Sequence, residues 1–397
     1  MNICFVSPEY FPISGGTGAY VYYLSRQLQE LGHNVHVVAR HRVNSTKIVD
    51  GVNVNYIKGV GSPLTKYWRF ARSTPKKLEE LHKKIGFDVV HANLPLIPSF
   101  AIPNETGSIL ISTVHSTWKG EAEAIKRGGR RRLNPNEKLM LRFSSPLRFY
   151  EKRLMKRSDA LIAVSMYTRR ELVELYGVAE EKIHVIYNGV DVQKFKNRGE
   201  GVDLRRELGI EEGQKVILCV GRLYYRKGLT MLLRSIPRVV QKFADVRVLI
   251  SGEGFKRNEE NLQELAEKLK IDDFVMFLGY FPDERLPDLY ATADLFVLPA
   301  LYENFPFAIL EAQSTGLPVI STQVGGIPEF LINNENGLLV ESGDPEQLAQ
   351  AILILLQDPA FAEQLGRCGR MRVEEKFAWP AIADQVVGLY RRFSKAA

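Results

Sequence analysis

The sequence contains few cysteines and no long hydrophobic run. Of its 397 residues only Cys4, Cys219 and Cys368 are cysteines, and no Cys-x-x-Cys pair or Cys/His cluster accompanies them. A disulfide framework and a zinc site are therefore not expected, and a reducing cytoplasm is the predicted compartment. No run of about 18 apolar residues is present, so no segment is expected to span a bilayer. Residues 1–6 lack a basic region and predict a buried strand, not a signal peptide.

Positive charge is in small excess and is unevenly distributed along the chain. The chain has 53 Lys and Arg against 46 Asp and Glu, a formal net charge of +7. Residues 1–190 hold 28 basic and 16 acidic side chains, a net of +12, whereas residues 191–397 hold 25 and 30, a net of −5. This asymmetry suggests that the N-terminal half meets an anionic surface. Hydrophobic residues make up 45% of the chain, which excludes a disordered or collagen-like protein.

What the chain does contain is a repeated alternation of short apolar runs with longer segments of helical period. This alternation is typical of an α/β fold, a parallel sheet covered by helices. The strands predicted in the first half are residues 3–7, 35–39, 52–57, 89–92, 109–113, 160–164 and 183–186. Those predicted in the second half are residues 216–220, 246–251, 275–278, 295–298, 319–321 and 337–340. Helices are predicted over residues 18–31, 259–270 and 307–315.

A segment with strong turn chemistry, Asn-Gly-Val-Asp at residues 188–191, lies between the two series of strands. It predicts two domains, residues 1–190 and 191–397, each a Rossmann-like, doubly wound parallel sheet. The last helix is expected to be able to pack back on the N-terminal domain. In such open sheets ligands bind beyond the carboxyl ends of the strands, so functional residues are expected in the loops at those ends.

Two of these loops combine glycines with a helix start or with basic residues. Gly15 and Gly16 follow the first strand and open the first helix, where glycines let a phosphate approach backbone N–H groups; a plain tight turn is the alternative. Arg222 and Lys227 follow the first strand of the second half, and a guanidinium fork plus a point charge suits a diphosphate. A solvated basic turn is the alternative there. Gly252 ends another strand and is expected to shape the same pocket.

A third loop contains two glutamates eight residues apart, Glu303 and Glu311. Glu303 lies in a predicted strand-to-helix loop and Glu311 lies two helical turns later, so both are expected to border one end of the sheet. Carboxylates accept hydrogen bonds from paired hydroxyls such as those of sugars and ribose. Backbone N–H groups at the helix start, around residues 305–308, are suited to hold phosphate.

These motifs resemble those of the family 4 retaining glycosyltransferases, which have the GT-B fold. Glu303 and Glu311 match that family's Glu-x7-Glu motif. The match continues through residues 312–320 and through Gly-Gly-Ile-Pro-Glu at 325–329, and it includes Gly-Arg-x4-Lys-Gly at 221–228, Asn-Gly-Val-Asp at 188–191 and Val-His-Ser at 114–116. The resemblance covers nearly the whole chain. It implies two Rossmann-like domains facing across a cleft and a nucleotide-sugar donor.

The resemblance also implies roles for individual residues. Arg222 and Lys227 are expected to hold the donor diphosphate. Glu311 is expected to bind the ribose and Glu303 the hydroxyls of the transferred sugar. His115 matches the histidine that borders the reacting sugar. The donor is further expected to contact Gly15, Gly16, Gly252, Asn304, Phe305, Pro306 and Phe307.

The chemistry implied is transfer with retention of anomeric configuration, by same-face attack in which the leaving phosphate assists deprotonation. The chain has no Asp-x-Asp pair, and basic side chains with helix N-termini are expected to stabilise the leaving diphosphate with no metal or other cofactor. A retaining hydrolase with two carboxylates is an alternative, against which the basic residues argue. A dinucleotide-dependent oxidoreductase and a catalytically silent, basic membrane-binding adaptor on the same fold are further alternatives.

The basic N-terminal half predicts where an acceptor docks. Residues 119–157 hold 13 basic and 4 acidic side chains, including three consecutive arginines at 130–132, and residues 66–72 mix Lys and Arg with aromatics. This mixture of residues suits contact with an anionic membrane, so the protein is expected to be peripheral at the inner face of the membrane. The acceptor is expected to be a glycan, a lipid-linked molecule or a small molecule. Solvated helical faces are the alternative. A nucleic-acid partner is not expected, because no recognised binding module is present.

Overall fold

The structure, a computed structural model, describes residues 1–13, 15–61, 63–104, 107–127, 135–196, 202–254 and 256–394. The chain divides into two compact units. The N-terminal unit comprises Met1–Ala122, Leu139–Gly189 and Trp379–Ala397, and the C-terminal unit comprises Glu123–Lys138 and Val190–Ala378. The last helix of the chain therefore belongs to the N-terminal unit.

The N-terminal unit is built on an eight-stranded sheet with the order β3-β4-β2-β1-β5-β6-β7-β8. Its strands are β1 (Asn2–Val6), β2 (Asn34–His41), β3 (Ser45–Val49), β4 (Val52–Lys58), β5 (Val89–Leu94), β6 (Ile109–Val114), β7 (Ala160–Ala163) and β8 (Ile183–Val185). Neighbouring strands pair in parallel except β3, which is antiparallel to β4. The strands predicted from the sequence are all confirmed to within about two residues, a usual error for element boundaries.

Strand β3 is absent from the sequence prediction because it has no buried apolar run: residues 46–48 are exposed. Val49 pairs with Val52 across a turn of Asp50 and Gly51, whose φ values are 45° and 82°. An Asp-Gly pair between extended segments is a strong hairpin signal, because both turn residues need positive φ. The sequence signal for β3 therefore lies in the Asp-Gly turn and not in the strand itself.

The C-terminal unit is built on a six-stranded, all-parallel sheet with the order β11-β10-β9-β12-β13-β14. Its strands are β9 (Lys215–Val220), β10 (Val246–Ser251), β11 (Val275–Gly279), β12 (Leu295–Leu298), β13 (Val319–Thr322) and β14 (Leu338–Val340). Each confirms the predicted strand, since buried apolar runs such as Val-Ile-Leu-Cys in β9 are typical of central parallel strands.

Helices connect these strands, and several begin or end at residues that satisfy their backbone groups. The helices are α1 (Gly16–Glu30), α2 (Pro63–Ile85), α3 (Trp118–Arg127), α4 (Pro135–Arg157), α5 (Met166–Tyr176), α6 (Val202–Glu207), α7 (Leu229–Lys242), α8 (Lys256–Leu269), α9 (Leu286–Ala291), α10 (Phe307–Ser314), α11 (Pro345–Gln357), α12 (Pro359–Lys376) and α13 (Trp379–Ser394). Ser165 caps α5 by accepting from Thr168 N, and Asp344 and Asp358 cap α11 and α12 in the same way. Helices α1, α8 and α10 confirm the three predicted from the sequence.

Helix α13 completes the core of the N-terminal unit. Trp379 is buried, and its ring centre lies 5.8 Å from that of Tyr20 and 5.9 Å from that of Tyr23, both on α1. Tyr390 is also buried, and its hydroxyl lies 2.5 Å from His91 Nδ1 in the middle of the sheet. Helix α13 thus packs against residues near the beginning of the chain.

Each sheet changes its winding direction between two neighbouring strands. These are β1 and β5 in the N-terminal unit and β9 and β12 in the C-terminal unit. Ligands of open α/β sheets bind at the carboxyl ends of the strands at such a switch point. Ligand-binding residues are therefore expected in the loops after these strands.

Candidate active site

The turn that follows β9 brings two basic side chains to the carboxyl end of β12. The Leu301 backbone N–H donates to the Arg226 carbonyl at 2.7 Å. Gly228 ends the turn with a φ of 71°, and a Cβ there would lie 1.7 Å from the Pro299 carbonyl oxygen. The two strand ends therefore meet backbone to backbone, and this approach positions Arg226 and Lys227.

Glu303 is a buried carboxylate that pairs with two partly buried cations. Lys227 Nζ forms an ion pair with Glu303 Oε1, and Arg226 Nη1 lies 3.3 Å from the same oxygen. The side chains of Glu303 and Lys227 are only 8% and 13% exposed. Burial by itself would raise the pKa of Glu303, but the positive charges of Lys227 and Arg226 outweigh it and lower that pKa below its ordinary value. Glu303 is therefore held as a carboxylate.

The backbone of Glu303 is fixed by a pair of glycines. Gly326 N donates to the Glu303 carbonyl at 3.1 Å. Gly325 has a φ of 58°, and a Cβ there would lie 1.6 Å from the same carbonyl oxygen. Position 325 of the Gly-Gly-Ile-Pro-Glu segment thus has a structural reason, because only glycine allows this close approach to the loop that carries Glu303.

Glu311, on α10, is bonded to a tyrosine of α9. Tyr290 Oη donates to Glu311 Oε2 at 2.7 Å. Burial raises the pKa of Glu311 to about 7; the hydrogen bond from Tyr290 opposes this shift, and the negative charge of Asp283 adds to it. The Glu311 carboxyl group is consequently close to half protonated near neutral pH, in contrast to that of Glu303.

The start of α10 lies between the two glutamates. The helix begins at Phe307 after Pro306, and no side chain caps it. Asn304, Phe305 and Pro306 are buried, and the Phe305 ring packs 4.4 Å from that of Phe330. The Phe305 side chain therefore packs in the core, so a ligand contact at this position would come from its backbone.

Arg222 and Gly252 belong to the turns that follow β9 and β10. The guanidinium carbon of Arg222 lies 5.9 Å from the centre of the Tyr224 ring. A Cβ at Gly252, whose φ is 143°, would lie 2.0 Å from the Gly221 carbonyl oxygen. The close approach of these two turns is a sufficient structural reason for glycine at position 252.

In the N-terminal unit, the predicted glycine turn and histidine follow β1 and β6. Gly15 has an extended backbone with a φ of −176°, Gly16 begins α1, and no side chain caps the helix. His115 Nε2 donates to Asn93 Oδ1 at 3.2 Å, and its ring centre lies 4.7 Å from that of Tyr20. Burial lowers the pKa of His115 to about 3, so the imidazole is neutral at physiological pH.

Two residues beside the glutamates are outside the sequence prediction. Arg226 was missed although it precedes Lys227 in the chain, because the sequence does not show which basic side chain of a turn faces the strand end. Tyr290 is 21 residues from Glu311 in the chain. No local signal connects them, because their contact depends on how α9 and α10 pack.

The described residues contain no group of three or more His, Cys, Asp or Glu side chains that could hold a metal ion. Within the same part of the chain, no helix is long and apolar enough to cross a membrane. Residues 128–134, which include Arg130, Arg131 and Arg132 of the predicted basic surface, lie outside the described residues, as does Ser14 beside the glycine turn.

Known protein families match both halves of the chain. The model of Glycosyltransferase Family 4 matches residues 14–194, and that of Glycosyl transferases group 1 matches residues 202–372. An uncharacterised glycosyltransferase of Methanocaldococcus jannaschii is 28% identical over 98% of both chains. A glycogen synthase of Mycobacterium tuberculosis is 29% identical over 98% of this chain and 94% of its own. A D-inositol 3-phosphate glycosyltransferase of Corynebacterium urealyticum is 29% identical, with coverages of 98% and 95%.

Solved structures agree with these matches. Sucrose-phosphate synthase from Thermosynechococcus elongatus superposes with a TM-score of 0.80 at 25% identity, and the match covers all of both chains. The dinucleotide-dependent oxidoreductase considered as an alternative is excluded. The chain belongs to family 4 of the glycosyltransferases, retaining enzymes with the GT-B fold that take the sugar from a nucleotide-sugar donor.

Proposed function

We propose that the turn after β9 and the loop between β12 and α10 bind the donor. Lys227, Arg226 and Arg222 bind its diphosphate, Glu303 accepts hydrogen bonds from hydroxyls of the transferred sugar, and Glu311 accepts them from the ribose. The observation that carries this proposal is the buried pair of Glu303 and Lys227 at the switch point of the sheet. Buried charges at such a place are more typical of a binding site than of a core.

Donor binding exchanges one partner of Lys227 for another. Lys227 and Arg226 both contact Glu303 Oε1. A diphosphate carries more charge than one carboxylate and draws both cations toward it, and the flexible stem of lysine permits the movement. This movement leaves the Glu303 carboxylate oxygens available to the hydroxyls of the sugar.

In the transfer step, the bond between the anomeric carbon and the diphosphate oxygen breaks while the acceptor hydroxyl oxygen bonds to the same face of that carbon. The proton of the acceptor hydroxyl passes to an oxygen of the leaving phosphate. Lys227 and Arg226 stabilise the negative charge that grows on the diphosphate, which is the largest electrostatic demand of the reaction.

His115 is proposed to contact the transferred sugar as a neutral imidazole. Its Nε2–H is used by Asn93 Oδ1, which leaves Nδ1 as a hydrogen-bond acceptor. We expect His115→Ala to lower turnover more than donor affinity, as measured by steady-state kinetics and calorimetry. Wild-type turnover in this variant would remove His115 from the reacting centre. Gly15 and Gly16 are proposed to give the donor phosphates access to the N-terminus of α1.

The acceptor is proposed to be a lipid-linked or cell-envelope glycan, reached from the cytoplasmic face of a membrane. An exposed aromatic cluster supports this: Trp68 is 40% exposed and stacks on Phe100, and Phe149 is 60% exposed. The exposed cations Arg69 and Arg153 belong to the same two helices, α2 and α4. Aromatic side chains with cations suit an anionic interface. The names of the relatives suggest a soluble glycan or an inositol phosphate as alternative acceptors.

Cosedimentation with phosphatidylglycerol vesicles tests the membrane contact. We expect binding at low salt, weaker binding at high salt, and a clear loss in a Trp68→Ala/Phe149→Ala variant. Met371→Ala removes a side chain that is 68% exposed in the C-terminal unit and serves as the control. Absence of sedimentation at low salt contradicts the contact.

A thermal-shift screen of UDP, GDP and ADP sugars tests the donor site, because a ligand of the folded state raises the melting temperature. Calorimetry with the corresponding nucleoside diphosphate then compares Lys227→Ala with Lys242→Ala, which removes an exposed lysine at the end of α7. We expect about a tenfold or greater loss for the first variant and little change for the second. If no nucleotide sugar binds the wild type, the silent adaptor becomes the better interpretation.

A further inference from the structure

A basic cavity lies on the N-terminal unit, and Arg69 of α2 is one of the residues that line it. It has a volume of about 390 Å³ and is lined by Lys58, Val60, Arg69, Arg72 and Ser73. We propose that this cavity is a subsite for a phosphate group carried by the acceptor. The proposal rests on the proposed function in that it concerns the acceptor of the same transfer reaction.

The charges that line the cavity are all positive and are not neutralised within the described part of the chain. Lys58, Arg69 and Arg72 form no ion pair with a carboxylate of the described residues. Arg69 Nη1 donates to the Val60 carbonyl at 2.7 Å, and this bond holds the guanidinium in place. A guanidinium has five donors, so this bond leaves donors for a ligand. Three cations around one cavity, with a serine hydroxyl beside them, fit a phosphate better than a neutral sugar.

The loop on one side of the cavity is built for close packing. Arg40 Nη1 donates to the Gly59 carbonyl at 3.1 Å, and a Cβ at Gly59 would lie 2.7 Å from Arg40 Cγ. Gly61 has a φ of 128°, and a Cβ there would lie 2.4 Å from Thr65 Oγ1 and 3.5 Å from the Arg69 guanidinium. Glycines thus bring the backbone after β4 close against α2, and this contact fixes the wall that carries Lys58.

The cavity lies on the edge of the sheet that carries the predicted catalytic loops. Lys58 is the last residue of β4, and β4, β2, β1, β5 and β6 are parallel, so their carboxyl ends share one edge. Strand β4 is two strands from β1 and four from β6. At about 4.8 Å per strand, the end of β4 is about 10 Å from the end of β1 and about 19 Å from the end of β6.

This separation restricts the kind of acceptor. A molecule whose hydroxyl reacts beside His115, just after β6, must extend about 19 Å along the sheet edge to place a phosphate at Lys58, the last residue of β4. The inferred acceptor is therefore an extended molecule that carries its phosphate several bonds from the reacting hydroxyl. A phosphorylated glycan and a lipid-linked sugar share this chemistry.

Calorimetric titration of the full-length protein tests the subsite, with glucose 6-phosphate as the probe and glucose as its neutral counterpart. The titrations are made with the donor site saturated by a nucleoside diphosphate, so that the probe cannot bind there. The variants are Arg69→Gln/Arg72→Gln and Lys58→Gln. The matched control is Lys83→Gln, which removes an exposed cation of the same helix.

We expect glucose 6-phosphate to bind the wild type and the Lys83→Gln variant within twofold of each other. The double arginine variant should bind it at least tenfold more weakly and Lys58→Gln several-fold more weakly, while glucose binds none of them measurably. Equal affinity of the wild type and the double variant for glucose 6-phosphate, or equal affinity of the wild type for glucose, overturns the subsite. Circular dichroism and nucleotide affinity, measured on the same samples, identify a variant that has failed to fold.

Competition with vesicles identifies the source of the phosphate. Displacement of glucose 6-phosphate by phosphatidylglycerol vesicles, and not by phosphatidylcholine vesicles, indicates a subsite that takes the phosphate of a lipid. Binding without displacement indicates the phosphate of a soluble glycan. If the wild type binds no nucleotide, the proposed function alone is refuted. The glucose 6-phosphate titration is then made without nucleotide, and the comparison of the wild type with the double arginine variant still tests the cavity.

Discussion

At the scale of single residues, the two glutamates of the candidate site are held in different charge states. Two cations lower the pKa of Glu303, whereas burial raises that of Glu311 to about 7. An ionised Glu303 accepts hydrogen bonds without first losing a proton. Glu311 accepts hydrogen bonds as a full carboxylate only above neutral pH, or once a ligand has displaced its proton. The difference arises from which side chains surround each carboxyl group, since the residue type is the same.

The ion pair of Lys227 with Glu303 gives a prediction about stability. Lys227→Met leaves a buried carboxylate with Arg226 as its remaining charge partner, and we expect a loss of about 2 kcal/mol in the free energy of unfolding. Adding Glu303→Gln should recover part of this loss, because the buried charge is removed as well. Urea unfolding followed by circular dichroism measures both.

A control for this prediction is available in an exposed pair. Lys268 and Glu264 lie one helical turn apart with side chains 74% and 61% exposed. Lys268→Met should cost less than about 0.5 kcal/mol. Strict additivity of Lys227→Met and Glu303→Gln would show that the buried pair is not energetically coupled.

The raised pKa of Glu311 gives a prediction about pH. The folded protein keeps the proton of Glu311 up to about pH 7, while the unfolded chain loses it near the ordinary value of 4.5. The free energy of unfolding that this group contributes therefore falls as the pH rises from 4.5 to 7. Glu311→Gln cannot lose a proton, so its stability relative to the wild type should improve by about 2 kcal/mol between pH 5 and pH 8.

Thermal unfolding of both proteins across this pH range measures the change. Glu264→Gln, whose side chain is 61% exposed, is the control and should follow the wild type. A constant difference between Glu311→Gln and the wild type from pH 5 to pH 8 would contradict the raised pKa.

At the scale of elements, the turn between β9 and α7 decides where the basic residues lie. Its glycine, Gly228, has a φ of 71° and no room for a Cβ against the Pro299 carbonyl. Gly228→Ala should therefore cost clearly more than the about 1–2 kcal/mol that a left-handed backbone costs an alanine. Gly209 has a φ of 64° and open space around it, so Gly209→Ala should cost only that backbone amount. Equal losses in urea unfolding would show that the contact with Pro299 is unimportant.

The elements themselves were largely predictable, and β3 shows where the prediction fails. Buried parallel strands carry continuous apolar runs, which the sequence displays directly. An exposed antiparallel strand such as Ser45–Val49 has no such run, and its presence depends on pairing with β4. The local signal was confined to the Asp-Gly turn.

At the scale of the whole molecule, α13 is distant in the chain from the core that it completes. A Cβ at Gly189 would lie 2.6 Å from the Trp379 ring, so the chain segment after β8 also packs against this helix. Trp379→Ala should destabilise the N-terminal unit by about 3–5 kcal/mol, since a large buried side chain is lost. Hydrogen exchange should accelerate in β1 and β5, while the affinity for the donor nucleotide stays close to that of the wild type.

Trp68→Ala serves as the control for this prediction, because Trp68 is 40% exposed. It should cost less than about 1 kcal/mol and leave exchange in the sheet unchanged. Unchanged exchange in Trp379→Ala would contradict the assignment of α13 to the core of the N-terminal unit.

The candidate site was predictable in its loops and not in its contacts. Lys227, Glu303 and Glu311 stand in motifs whose spacing is visible in the chain. Arg226 and Tyr290 are recognisable only by their distances to the glutamates, since those distances depend on the packing of β9 against β12 and of α9 against α10. Whether these residues bind the donor stays a prediction until the experiments above are made.

The sequence by itself determined the alternation of strands and helices, the family and the loops in which function is expected, because these depend on residue types a few positions apart. The tertiary structure decided which cation pairs with Glu303, which carboxyl group keeps its proton, and which unit α13 joins. It also grouped Lys58, Arg69 and Arg72 around one cavity. Those features depend on distances and burial between residues far apart in the chain, and only the packed fold defines them.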